Sequence, residues 1–110
     1  LFDVVQPNES DDELSEKLMA NEADIYIYAH IHKPFIRYID GKCLINIGSV
    51  GLPFDGMNKS SYAIIDVNKN GFQTSMIRVG FDVEKVINQL KEMNYPNIEL
   101  IASFLQRAKM

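Results

Sequence analysis

His30 and His32 are the two histidines of this 110-residue sequence, and a single isoleucine separates them in His30-Ile31-His32. In extended chain, residues i and i+2 point to the same side, about 6.5 to 7 Å apart along the strand, so both imidazoles can face one region. That separation is long for sharing one ion. It suits two adjacent ions, which in binuclear hydrolases sit roughly 3.5 to 4 Å apart. Imidazole nitrogen suits several divalent transition metals, and the residues do not choose among them. The plainer alternative is a pair of polar residues in a turn, which the spacing alone equally allows.

The elements around the pair are legible as pattern. Ser10 and Glu13 have capping-box spacing, so a helix starts there with Leu14 and Leu18 facing inward. Ile25 to Ala29 is apolar on both faces and reads as a central strand ending at the histidines. Phe35 to Ile39 and Lys42 to Ile47 form an antiparallel hairpin through Asp40-Gly41, a dipeptide that tolerates positive φ. Residues 48–60 hold three glycines and a proline and read as a loop. Tyr62 to Val67 and Phe72 to Val79 make a second hairpin around Asn68 to Gly71, with Gln73, Thr74 and Ser75 suggesting one solvated face. Val83, Val86, Ile87, Leu90 and Met93 then recur at helical spacing until Pro96 stops the helix. Asn97 caps a last helix with Ile98, Ile101, Leu105 and Ala108 on its apolar face. The fold class is α/β, with mainly antiparallel sheet and flanking helices.

Composition narrows the function classes. Hydrophobic residues make up 46% and charged residues 24%, the balance of a folded globular chain. Eleven basic against fifteen acidic residues give a net charge of -4. No lysine-arginine stripe is present to track a nucleic-acid backbone. The apolar runs are far shorter than the roughly 20 residues a membrane helix needs, and the expected setting is soluble and cytoplasmic. Cys43 is the single cysteine, next to Leu44 and Ile45, and reads as a buried thiol. The sequence begins with Leu1, which fits a fragment or a processed product.

The segment Asp24 to Pro34, Asp-Ile-Tyr-Ile-Tyr-Ala-His-Ile-His-Lys-Pro, resembles the last metal motif of the calcineurin-like metallophosphoesterases. There a hydrophobic strand runs into Gly-His-x-His. The likeness continues through Gly41, Leu44-Ile45-Asn46, Gly48-Ser49-Val50-Gly51, Pro53, Asp55-Gly56 and Tyr62-Ala63-Ile64-Ile65-Asp66. Phe81-Asp82-Val83-Glu84 and Asn94-Tyr95-Pro96 look like the tail of bacterial members. The resemblance implies a two-sheet sandwich with helices outside, of which residues 1–110 are the carboxy-terminal part. It implies two divalent transition-metal ions, with His30 binding one and His32 the other, and phosphate-ester hydrolysis by a bridging hydroxide. It also brings the Gly48-Ser49 loop toward phosphate, although a glycine-rich turn that only lets strands cross explains those residues as well. Lys33 could attract an anion there or be a solvated surface lysine.

Three positions depart from the family pattern: Ala29 replaces a glycine, Ile47 a proline and Phe54 an arginine that many relatives use on phosphate. The family's earlier motifs, Asp-x-His, Gly-Asp-x-x-Asp, Gly-Asn-His-Asp and a further histidine, are absent, and with them the expected general acid. The chain is therefore expected to be inactive alone, its partner being a missing amino-terminal half or a second copy. Two other classes stay open: a non-catalytic oligomerisation or partner-binding domain, and a structural metal module in which His30 and His32 of two copies build one site.

Overall fold

The computed structural model describes residues 6–109, so Leu1 lies outside the described residues. Helix α1 (Asp11–Leu18) starts where the Ser10 hydroxyl accepts a hydrogen bond from the Glu13 amide at 3.2 Å, satisfying one free donor of the first turn. Asp11, Asp12 and Glu13 at its start and Lys17 at its end match the sign of the helix dipole. Leu14 is fully buried against the sheet beneath.

That sheet has the order β1-β3-β2, built from β1 (Ile25–Tyr28), β2 (Phe35–Ile39) and β3 (Lys42–Asn46). The β2-β3 hairpin forms as its sequence predicts, with Asp40 and Gly41 at φ 50° and 77°. Strand β1 pairs with β3 in parallel, which sets Tyr28 opposite Asn46. The expected central strand is corrected here: β1 stops at Tyr28 and is an edge among the described residues, leaving Ile27 54% exposed. The centre belongs to β3, whose Cys43, Leu44 and Ile45 are fully buried and pack on both faces. Ile39, Leu44, Tyr26, Tyr28 and Phe35 close over Leu14 to make the first core.

Strands β4 (Lys59–Asn68) and β5 (Gly71–Gly80) form a separate antiparallel ribbon. It is longer than its apolar run suggests, because the ladder continues through Ser60 opposite Val79 to Lys59 opposite Gly80. Gln73 and Ser75 face solvent, whereas Thr74 turns inward and its hydroxyl lies 3.0 Å from the Tyr38 hydroxyl, joining the ribbon to the first sheet. On the outer face Tyr62, Ile64 and Val79 stay exposed.

Helices α2 (Val83–Glu92) and α3 (Ile98–Arg107) pack together through Ile87, Ala102 and Leu105, and Leu52 from the long loop joins this second core. Asp82 caps α2 by accepting from the Lys85 amide at 3.0 Å. Asn97 stands at the start of α3 but makes no side-chain cap bond. Its φ of 58° is left-handed, whereas a capping side chain reaches the first amides from the extended region. The body measures 49 × 31 × 19 Å.

Candidate metal and phosphate site

Strand β1 ends at Tyr28, and the chain bends sharply through the histidines. His30 and His32 have φ of 83° and 58°, so the extended geometry expected for the pair does not occur. Left-handed backbone at a non-glycine residue costs free energy and persists where surrounding contacts hold it. Those contacts are visible on both sides of the bend. Ile31, 7% exposed, is tucked inward between the two histidines. Asn46 at the end of β3 is fully buried, and its amide donates to the Ala29 carbonyl at 3.1 Å. The Asn46 side-chain oxygen accepts from the Gly48 amide at 2.8 Å, so one side chain ties the end of β1 to the start of the following loop.

The far side of the bend is held by residues 52–54. His32 Nδ1 lies 2.8 Å from the Leu52 carbonyl, and the Phe54 amide donates to the His32 carbonyl at 2.9 Å. A carbonyl oxygen can only accept, so Nδ1 carries the proton and Nε2 of the neutral ring keeps its lone pair. Phe54 stacks on the imidazole, with centroids 4.9 Å apart and planes 15° from parallel. Phe104 of α3 braces Phe54 edge-on at 6.0 Å. Backbone, ring and helix together fix the orientation of His32. Outer contacts of this kind are what a metal-binding histidine needs.

An open cleft of about 770 Å³ is lined by His30, Ile31, His32 and Lys33 of the bend, by Phe54 and Asp55, and by Gln6 and Lys109 from the two ends of the described chain. His30 and His32 are thus brought to one site. Gly48 and Ser49 are not among its lining residues, and their polar groups are engaged internally. The Gly48 amide is on Asn46, the Ser49 amide donates to Ser61 Oγ at 3.1 Å, and Ser49 Oγ accepts from the Leu52 amide at 3.0 Å. Gly48 and Ser49 here shape the loop that carries Leu52 to His32.

Asp55 is the carboxylate among the cleft's described lining residues, and it is occupied. Its two oxygens take Arg78 Nη1 and Nη2 at 2.6 and 3.2 Å, while Arg78 Nη2 also donates to the carbonyls of Met57 and Lys59. Burial pushes the Asp55 carboxyl up, but the Arg78 hydrogen bond and charge outweigh it and hold it below the usual 3.8. A lowered folded value stabilises the fold above the unfolded carboxylate range, and that contribution is lost as pH falls through the folded value. Asp55→Asn should therefore cost about 1 to 2 kcal/mol at neutral pH, as loss of a charge-assisted pair, and less at acid pH as the lowered folded value is approached. Urea midpoints at the two pH values measure this. An equal cost at both would remove the pair from the account.

Local periodicity does not point to Phe54, Asp55 or Lys109 as cleft residues, although the resemblance sets Phe54 where relatives carry a phosphate-binding arginine. For Phe54 the signal was there to use: an aromatic residue beside a proline, within reach of a histidine bend. For Lys109 it was not, since the chain returns to the cleft only through α3. Asn58 donates to the Gln106 carbonyl at 2.8 Å and Gly56 to the Ala108 carbonyl at 2.9 Å, contacts spanning about half the sequence.

Among the described residues no group of three or more His, Cys, Asp or Glu is placed to hold a metal ion. The donor set present fits part of such a site: an oriented imidazole at His32 with His30 beside it on the same cleft.

Solved structures share this architecture. A metallophosphoesterase from Sphaerobacter thermophilus superposes with a TM-score of 0.73 at 20% identity, over 89% of this chain and 47% of that one. A hypothetical protein from Pyrococcus horikoshii OT3 gives 0.75 at 17%, over 92% and 39%. In sequence, an uncharacterized protein of Methanocaldococcus jannaschii is 33% identical over 91 residues, 69% of this chain and 37% of the relative. The chain thus spans less than half the length of each of these three proteins. The model of the calcineurin-like phosphoesterase superfamily domain matches residues 3–70, which include β1, the histidine bend, Asn46 and the loop that holds His32. With the motif, the fold and more than half of the sequence in agreement, this chain belongs to the calcineurin-like phosphoesterase superfamily.

Proposed function

We propose that these residues form one side of a binuclear-metal phosphoesterase site, with His30 and His32 as two of its ligands and phosphate esters as its substrates. The observation that carries this is the bond from His32 Nδ1 to the Leu52 carbonyl, which leaves Nε2 as the ligating nitrogen on the cleft. When bound, divalent transition-metal ions (manganese, iron, zinc or nickel) would supply Lewis-acid stabilisation of phosphoryl oxygens. The chain's own contribution is to orient the His32 imidazole beside His30, to exclude water with Ile31 and Phe54, and to present cations at the rim.

Two histidines do not complete two ions, which need about four ligands each. The remaining ligands come from polypeptide beyond these residues, either an amino-terminal part or a second copy, and the 110-residue chain alone turns over no ester. No helix among the described residues is long and apolar enough to cross a membrane. A cytoplasmic setting suits the free, buried Cys43.

Manganese titration followed by paramagnetic broadening of the imidazole resonances tests the ligands directly. Both rings should broaden, and His32→Ala should weaken binding roughly tenfold or more, at least what loss of an outer contact produces. Binding that ignores substitution of either histidine would remove them as ligands. Manganese-dependent hydrolysis of p-nitrophenyl phosphate should stay at background; turnover that disappears with His32→Ala would overturn the claim of incompleteness.

A further inference from the structure

The described side chains of the cleft carry a local charge opposite to that of the chain around it. The sequence carries a net charge of -4, yet the side chains bordering the histidines include Lys33 and Lys109, with Asp55 as the carboxylate of the lining. Asp55 does not balance them, because Arg78 takes both of its oxygens. Lys33 Nζ donates to the neutral amide oxygen of Gln6 at 3.4 Å, a contact that offsets no charge. The ion pairs among the described residues involve Lys17, Arg37, Lys42 and Arg78, and neither cleft lysine. Among the described residues, two ammonium groups therefore border a partly apolar cleft without a carboxylate of their own. An anion relieves that arrangement, and the interaction gains strength where water is partly excluded.

Lys109 is held at the cleft by the backbone on its N-terminal side. Ala108 is fully buried at φ 53°, and its carbonyl accepts from Gly56. The Lys109 stem crosses Gly56, with Cε 3.4 Å from where a β-carbon at Gly56 would stand. A lysine at this place could be explained as a charge on the negative end of α3. That role is already filled in part, since Asn58 donates to the Gln106 carbonyl and Gly56 to that of Ala108. Lys109 also lies outside residues 3–70, so it is not a feature of the matched family segment.

We infer that Lys33 and Lys109 form a two-cation clamp for the phosphoryl group of a phosphomonoester, selecting it over a diester. The clamp rests on the phosphoesterase reading of the cleft. A monoester carries close to two negative charges above its second pKa of about 6, whereas a diester carries one. Two cations without carboxylate partners among the described residues favour the more highly charged group, and Phe54 and Ile31 offer apolar surface to the organic part.

The test is ligand binding to the 110-residue chain at pH 8 in EDTA, read by amide shifts, with phenyl phosphate and methyl phenyl phosphate as probes. Phenyl phosphate should give saturable shifts at Lys33, Phe54, Gly56 and Lys109, and bind several-fold tighter than the diester. Lys109→Met and Lys33→Met should each weaken phenyl phosphate about tenfold, the loss expected for one charge-assisted hydrogen bond, and should erase the preference. Lys91→Met, on the last turn of α2, should leave both affinities unchanged. Equal affinity for the two probes, or full affinity in Lys109→Met, would overturn the clamp. So would absence of saturable shifts. Because EDTA removes metal from the measurement, failure here leaves the histidine assignment to its own manganese titration, and failure there leaves this result standing.

Discussion

Gly48→Ala should destabilise the chain by about 3 kcal/mol, summing left-handed strain of ~1 to 2 kcal/mol and overpacking of similar size. Gly48 has a φ of 72°, a conformation that a side chain disfavours. An added β-carbon would overlap Ser61 Oγ and stand 3.0 Å from the Pro34 ring. Ser61 has nowhere to retreat: it is 2% exposed, and its hydroxyl donates to the Ile47 carbonyl at 2.9 Å while accepting from Ser49. Pro34 follows His32 and Lys33 directly, so the displacement reaches the cleft as well as the fold. Gly41→Ala is the matched control, with a φ of 77° and nothing within 4 Å of the new carbon. It should cost only the strain, about 1 to 2 kcal/mol. Urea midpoints for the two variants measure the difference. Equal losses would mean that the contact with Ser61 and Pro34 relaxes freely.

The contrast between these glycines also shows what the sequence can and cannot disclose. Asp40-Gly41 announces its turn locally, because two residues with positive φ between apolar runs are enough to specify a hairpin. The strands, α2 and the buried Cys43 are legible for the same reason: each is specified by the spacing of neighbours. Gly48 looks like one loop glycine among several, and its requirement comes from Ser61 and Pro34, which only folding brings there. The site follows the same rule. His30 and His32 stand out by type and by the string around them, but their extended geometry was a wrong extension of β1 past Tyr28. The bend is imposed by Asn46, Leu52 and Phe54, from another strand and a loop. Lys109 lies further still, carried in by a helix whose docking depends on Gly56 and Asn58. Local pattern identifies ligands; it does not identify the contacts that aim them.

Asn46→Leu should cost about 3 kcal/mol and loosen the histidine bend, because two buried backbone groups lose their partner at about 1 to 3 kcal/mol each. Leucine fills a similar space but neither accepts from the Gly48 amide nor donates to the Ala29 carbonyl, the two bonds that Asn46 makes at 2.8 and 3.1 Å. Asn46 also bonds the Tyr28 hydroxyl, whose pKa is raised by burial and drawn partly back by that contact. Asn46→Asp separates the hydrogen bonds from the packing. At neutral pH a carboxylate keeps the bond from Gly48 but turns a negative oxygen toward the Ala29 carbonyl, at a site with 0% exposure. Its folded pKa is therefore raised above the unfolded carboxylate value of about 4. A protonated acid can donate to Ala29, so the variant should approach the parent below that value and fall away as pH rises through the folded one. This is the reverse of the dependence expected from Asp55, whose folded pKa is lowered. Urea midpoints of parent and Asn46→Asp from pH 3 to pH 8 should diverge with rising pH. Manganese broadening at His30 and His32 should weaken in parallel if Asn46 sets the bend. A constant gap across that range would mean that Asn46 acts by packing alone.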